Sequence, residues 1–177
     1  MFGLRKTNNP YAQPAEAVYD VCLEHVREPR FYTDLGVPDT LEGRFDLLLL
    51  HSFLVVNRVL EGAGDESEVF NQALFDATFA DMDQMLRTIG IGDMGVPKRM
   101  KKMMLAFNGR MHAYDAAVKA GDLQTPLRNN VYGTVDDVSD AHVAAMVDYM
   151  EHNMELLRAE GALERVMQGD VAFEIKG

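Results

Sequence analysis

Apolar positions recur at intervals of three and four along this chain, between Gly and Pro breaks, and no stretch before the last few residues alternates with period two. That pattern predicts an all-α fold, a bundle of about five main helices with a short C-terminal tail. The first helix spans residues 14–27, brings Val18, Val21, Cys22 and His25 to one face, and is ended by Pro29. Residues 30–36 form a short second piece. Asp39 is placed to cap a long helix reaching residue 61, with Glu42 completing a capping box and Gly62 and Gly64 as the stop. The next runs over residues 65–89, with acids in its first turn and Gly90 behind it. Pro97 suits the first turn of a helix that continues to residue 120, before Gly121. Ser139 or Asp140 caps the last long helix, to about residue 160, whose stripe is Val143, Met146, Val147, Met150, Met154 and Leu157. Residues 122–134, with Pro126, Asn129 and Gly133, read as turns around one short helical piece and as the most mobile loop. Residues 171–175 have strand-like composition, but a lone strand has no partner, so they are expected to dock on the helices as a tail.

Composition narrows the class. The 177 residues suffice for one domain spanning 1–177, since domains run to ~150 residues. With 17 basic against 28 acidic residues the net charge is -11, which opposes general adhesion to nucleic acid, so no sequence-specific nucleic-acid binding is expected and any phosphate contact must be local. Cys22 is the only cysteine and lies among apolar neighbours, which fits a reducing compartment and points to the cytoplasm. The first six residues lack the ~7–15-residue apolar run of a secretory signal. The most apolar stretch, residues 47–56, is interrupted by His51 and Ser52 and falls short of the ~18–20 residues a membrane crossing needs, so it reads as a buried helix.

Several chemistries lack their motifs. None of His25, His51, His112, His142 and His152 has a glutamate three positions before it, so the Glu-x-x-His signature of di-iron bundles is missing. No pair of histidines fits H-E-x-x-H, and one cysteine cannot build a structural zinc site. The glycines form neither a P-loop nor a dinucleotide fingerprint, and G-x-S-x-G is absent. No metal or cofactor is therefore expected.

The two helices between residues 65 and 120 carry the unusual features. Phe70, Ala73, Leu74, Ala77 and Met85 share one side of the first, and Phe75, Phe79, Met82 and Leu86 the other. Asp81 falls inside the first stripe, where a carboxylate is desolvated unless cations or donors meet it. It reads either as a general base or ligand, or as half of an ion pair locking two helices. The following helix has Met100, Met103, Met104, Phe107, Met111, Tyr114 and Val118 on one face. Unbranched, polarizable methionine adapts to irregular apolar partners but is also ordinary core filler, so Met100, Met103, Met104 and Phe107 are candidate client contacts beside a core reading. Lys98, Arg99, Lys101 and Lys102 place four cations in five positions, either a solvated face or a docking patch. Arg110 borders the methionine face and is the candidate partner of Asp81.

The strings ADMDQMLRTIGIGDMGV at residues 80–96, PKRMKKM at 97–103 and FNGRMHAYD at 107–115 resemble the ubiquinol-cytochrome c chaperone family. RFDLLLLHSF at residues 44–53 resembles that family's opening helix, so the likeness covers residues 38–122. The resemblance implies a helical assembly factor without catalytic residues or cofactor, which binds cytochrome b, nascent or unassembled, during biogenesis of the cytochrome bc1 complex (respiratory complex III). Mitochondrial members act with a small partner protein near the ribosomal exit, and a bacterial, cytoplasmic version, peripheral at the inner membrane, fits this chain. The cations at residues 98–102 would then dock it on ribosomal RNA or on anionic lipid. The competing class is a small helical enzyme or metal-binding protein with a site around Asp81, His51 or His112. A concave site where titratable groups converge would favour the enzyme, and an elongated apolar groove the chaperone.

Overall fold

A computed structural model of the chain describes residues 8–176; the six N-terminal residues read for a signal lie outside that range. Among the described residues the chain is α-helical without strands. The helices are α1 (Ala12–His25), α2 (Arg30–Thr33), α3 (Leu41–Gly62), α4 (Glu66–Thr88), α5 (Val96–Ala120), α6 (Gln124–Asn129), α7 (Asp140–Arg158) and α8 (Ala162–Met167). The five expected helices are α1, α3, α4, α5 and α7. The helix α8 was hidden in what composition suggests is tail.

Helix α3 is the centre of the bundle. Every residue from Asp46 to Val55 is buried, and the helix touches α1, α4, α5, α7 and α8. Its start lies one residue later than the capping-box reading. Thr40, extended at φ -124° and ψ 167°, is the cap, and its hydroxyl accepts the Gly43 N–H at 3.0 Å. Asp39 instead accepts from Arg44 Nε at 2.7 Å, so no box with Glu42 forms. Gly43 is required by close approach: a Cβ there would sit 2.1 Å from the Pro38 carbonyl oxygen. At the start of α7, Ser139 is the cap and accepts the His142 N–H at 3.1 Å.

The segment expected to be the most mobile loop packs into the core instead. Leu127, Val131 and Tyr132 are buried, and the Tyr132 hydroxyl donates to the Leu35 carbonyl at 2.6 Å. The polar turn residues of this stretch disguised its three apolar anchors. Beyond α8 the chain crosses back over α7 as a docked tail. Asn153, fully buried on α7, accepts the Glu174 N–H at 2.8 Å and donates to the Glu174 carbonyl at 2.9 Å, while Arg30 donates to the carbonyls of Ile175 and Lys176. The tail's Phe173 covers the rings of His25 and His51, with centroids 5.4 and 4.9 Å away.

Under Phe173 lies a polar chain in the apolar core. His51 Nδ1 meets the Leu47 carbonyl at 2.7 Å, so Nδ1 carries the proton and Nε2 accepts from the Tyr149 hydroxyl at 2.6 Å. The Tyr149 oxygen in turn accepts from His25 Nε2 at 3.1 Å. The order of donors uses neutral histidines throughout. Burial pulls His51 down to about 3 and lowers His25 as well, both below the ordinary histidine value. Between pH 6.5 and those lower values the unfolded chain therefore binds more protons than the folded one. Stability is complete above pH 6.5 and falls as the solution is acidified, with a slope approaching ~1.4 kcal/mol per pH unit from His51 and a smaller contribution from the partly exposed His25. Urea unfolding between pH 7 and 4 should show this decline, and His51→Gln should flatten it. A stability that is level across that range in the wild type would contradict the buried neutral chain.

Candidate functional site

The N-terminal turns of α3, the C-terminal ends of α1 and α4 and the first half of α5 diverge around an open cleft of about 710 Å³. Its apolar lining comes from Leu23 and Val26 on the α1 side, Leu41, Phe45 and Leu48 on α3, Met82, Met85 and Leu86 on α4, and Met103 and Ala106 on α5. Leu41 is 56% exposed, a large apolar side chain held at the mouth by the first turn of α3. The rim carries Arg27, Arg44, Arg99, Lys102 and Arg110 against Glu42 and Asp46, a basic edge on an acidic protein.

The rim cations are not equivalent. Arg27 pairs with Glu24 and Arg44 with Asp39, and the Arg44 guanidinium also lies 5.1 Å from the Tyr32 ring centroid. Arg110 binds Asp46 at 2.8 Å, joining α5 to α3 at the cleft wall. Arg99 and Lys102 have no carboxylate within ion-pair distance among the described residues, and neither do Lys98 and Lys101. All four cations of this cluster are exposed. Helical rotation divides them: Arg99 and Lys102 share the cleft edge with Ala106 and Arg110, while Lys98 and Lys101 face outward.

The expected Asp81–Arg110 lock is corrected by these contacts. Asp81 lies between α4 and α1 and accepts the Tyr19 hydroxyl at 2.7 Å. It lines a separate acidic depression of about 640 Å³ with Glu16, Asp20, Asp76 and Asp83. The stripe carrying Asp81 faces α1, so α5 and Arg110 are out of its reach; the carboxylate that α5 meets is Asp46 of α3, only 7% exposed. Sequence periodicity placed Asp81 on one apolar face and Arg110 at the border of another but could not say which helix each face meets.

The methionine face serves two purposes. Phe107 is buried, with its ring centroid 5.3 Å from Phe75 and 5.7 Å from Phe79, in a small cluster that includes Leu49. Met100 and Met104 are half-buried over this cluster, and Met103 is half-buried and lines the cleft. Phe107 thus belongs to the core. The cleft residues that sequence reasoning missed, chiefly Leu41, Phe45, Met82 and Met85, are drawn from separate elements, and no local periodicity connects them.

The titratable residues of the competing reading do not converge. His51 is sealed in the interior with both ring nitrogens engaged, His112 is exposed on α5, and Asp81 lies in the acidic depression. Burial raises the Cys22 thiol to about 12, which leaves it a protonated core residue. No group of three or more potential metal ligands gathers among the described residues. No described helix is long and apolar enough to cross a membrane.

The described residues thus form a helical bundle with an apolar cleft, a cationic rim and no convergence of the titratable residues named above. The chain belongs to the ubiquinol-cytochrome C chaperone family, whose description matches residues 33–172. This is a family of chaperones, not of enzymes. The chain is similar to ubiquinol-cytochrome-c reductase complex assembly factor 1 of Xenopus laevis, 20% identical over 158 residues, covering 88% of this chain and 78% of that protein. It is also similar to the mitochondrial protein CBP3 of Saccharomyces cerevisiae, 24% identical over 153 residues, covering 78% of this chain and 46% of the yeast protein. Among solved structures, the Cbp3 homolog from Brucella abortus superposes with a TM-score of 0.76 at 35% identity, over 93% of this chain and 90% of that one.

The cleft wall makes a directional prediction. Burial raises the Asp46 carboxyl above its ordinary value in spite of the adjacent guanidinium, so the pair only partly offsets the desolvation of the acid. Arg110→Ala strands a buried carboxylate and should cost about 2–4 kcal/mol in urea unfolding, whereas Asp46→Asn frees a partly exposed guanidinium and should cost ~1 kcal/mol or less. In double-mutant cycles Arg110 should couple to Asp46 and be additive with Asp81. Coupling to Asp81 would restore the rejected pair.

Proposed function

We propose that this protein is an assembly chaperone of respiratory complex III, the cytochrome bc1 complex, and that it holds nascent or unassembled cytochrome b by an apolar segment lying in the cleft. The observation that carries the reading is the cleft itself. Leu41, Phe45, Met85 and Met103 offer apolar surface, and the two unbranched methionines can adapt it to a helix of irregular outline. The basic rim complements polar or acidic residues that flank such a segment. The family match and the name of the Xenopus relative support the same role. In this reading the chaperone works in the cytoplasm, and its contribution is to shield apolar surface until the client meets its partners.

Binding by shielding requires no bond to be made or broken. Met103 and Leu41 therefore matter through apolar area alone, and a charge placed among them should expel the client. Capture of the tagged protein from detergent-solubilised cells should enrich cytochrome b. Leu41→Asp and Met103→Asp should lower that enrichment at least tenfold while leaving the fold intact. Leu60→Asp, at an exposed leucine outside the cleft, should not. Equal loss from Leu60→Asp, or undiminished capture by the cleft variants, would refute the assignment of the cleft.

A further inference from the structure

We infer that the outer face of α5, with the loop that leads into it, is a docking surface for an anionic lipid bilayer. The loop after α4 turns at Gly90, whose φ of 86° suits glycine, and closes a tight turn in which the Gly95 N–H meets the Gly92 carbonyl at 2.7 Å. Met94 lies within that turn and is 96% exposed. Ile89, at the start of the loop, is 56% exposed, and Leu105, two turns into α5, is 64% exposed. These are three of the six large apolar side chains exposed in the described structure, gathered within seventeen positions.

The cations are interleaved with them. Leu105 follows Lys98 by seven residues, Lys101 by four and Lys102 by three, so on a helix it sits among all three. The one acid between residues 89 and 105, Asp93, is held by Arg87 at 2.9 Å. The lysines themselves are free of ion pairs among the described residues, and they crowd the N-terminal turns of α5, where the macrodipole mildly disfavours cations. Nothing inside the fold uses them.

The mixture identifies the partner. Apolar side chains that protrude among lysines match the layered chemistry of a membrane interface, acyl chains beneath phosphate groups. Against RNA the same apolar tips would be left in water, and residues 89–105 include no aromatic side chain on which a base could stack. A chain of charge -11 is repelled from a phosphate surface at long range, so attraction must come from a cluster acting within about one Debye length, ~8 Å at physiological salt. Lys102 belongs both to this face and to the rim of the cleft, so docking would bring the cleft beside the bilayer surface. The surface is independent of the client: it would bind lipid with the cleft empty.

The chain has no tryptophan, so Met94→Trp supplies a single fluorophore in the loop. With purified protein, vesicles of phosphatidylglycerol and phosphatidylcholine should shift its emission to the blue, and vesicles of phosphatidylcholine alone should not. The Lys98→Gln, Lys101→Gln, Lys102→Gln variant should partition into the anionic vesicles on the order of 100-fold less, at roughly fivefold per cation. Met94→Ser in the native background should weaken co-sedimentation several-fold and remove the part that survives high salt. All these positions are exposed, so unchanged urea unfolding should accompany each variant. No emission shift on anionic vesicles, an equal shift on neutral ones, undiminished binding by the triple variant, or sedimentation with ribosomes but not with vesicles would each overturn the inference.

Discussion

The complete burial of α3 from Asp46 to Val55 is the constraint on which the rest of the molecule depends. A helix without a solvated face must be wrapped, and α1, α4, α5, α7 and α8 all lie against it. The wrapping is continuous along the middle of α3 but opens at its first turns, where Leu41, Glu42 and Arg44 are exposed and Phe45 is only half covered. The cleft is the space left where α1 and α4 end and α5 begins. Its existence follows from helices of unequal reach packed around one apolar rod.

What keeps that opening from collapsing is polar. The Asp46–Arg110 pair spans α3 and α5 at the wall, and Arg44 is anchored between Asp39 and the Tyr32 ring. Raised by burial, the Asp46 carboxyl contributes geometry more than free energy, which is the usual balance for a desolvated ion pair. Opposite these fixed charges the apolar lining includes Met82, Met85 and Met103, side chains with low-cost alternative rotamers. A polar frame around a deformable apolar floor is the arrangement that the proposed client binding would need, since it can hold a segment without selecting one exact shape.

Much of this was legible in the sequence because helical periodicity reports burial. The long helices and the encased stretch of α3 follow from apolar spacing and Gly or Pro stops. Failures arise where the outcome depends on which elements meet. Asp81 lies on one apolar face and Arg110 borders another, yet Asp81 meets Tyr19 of α1 and Arg110 meets Asp46 of α3. Phe107 shares the methionine face, but its partners Phe75 and Phe79 bury it. Asp39 and Thr40 are adjacent residues with equal capping chemistry, and only the extended backbone at Thr40 decides between them. The cleft gathers residues from four helices, so no window of sequence contains it. Resemblance of the strings at residues 44–53 and 80–115 supplied the family without supplying the geometry.

The proposed role requires the client to lie in the cleft. A photo-crosslinking side chain introduced in cells at Met85, inside the cleft, and at Val69, exposed on α4 outside it, tests this by position alone. A client in the cleft should give an adduct with cytochrome b from position 85 and none from position 69, with the adduct disappearing when complex III assembly is allowed to finish. Adducts from position 69 with none from position 85 would contradict it.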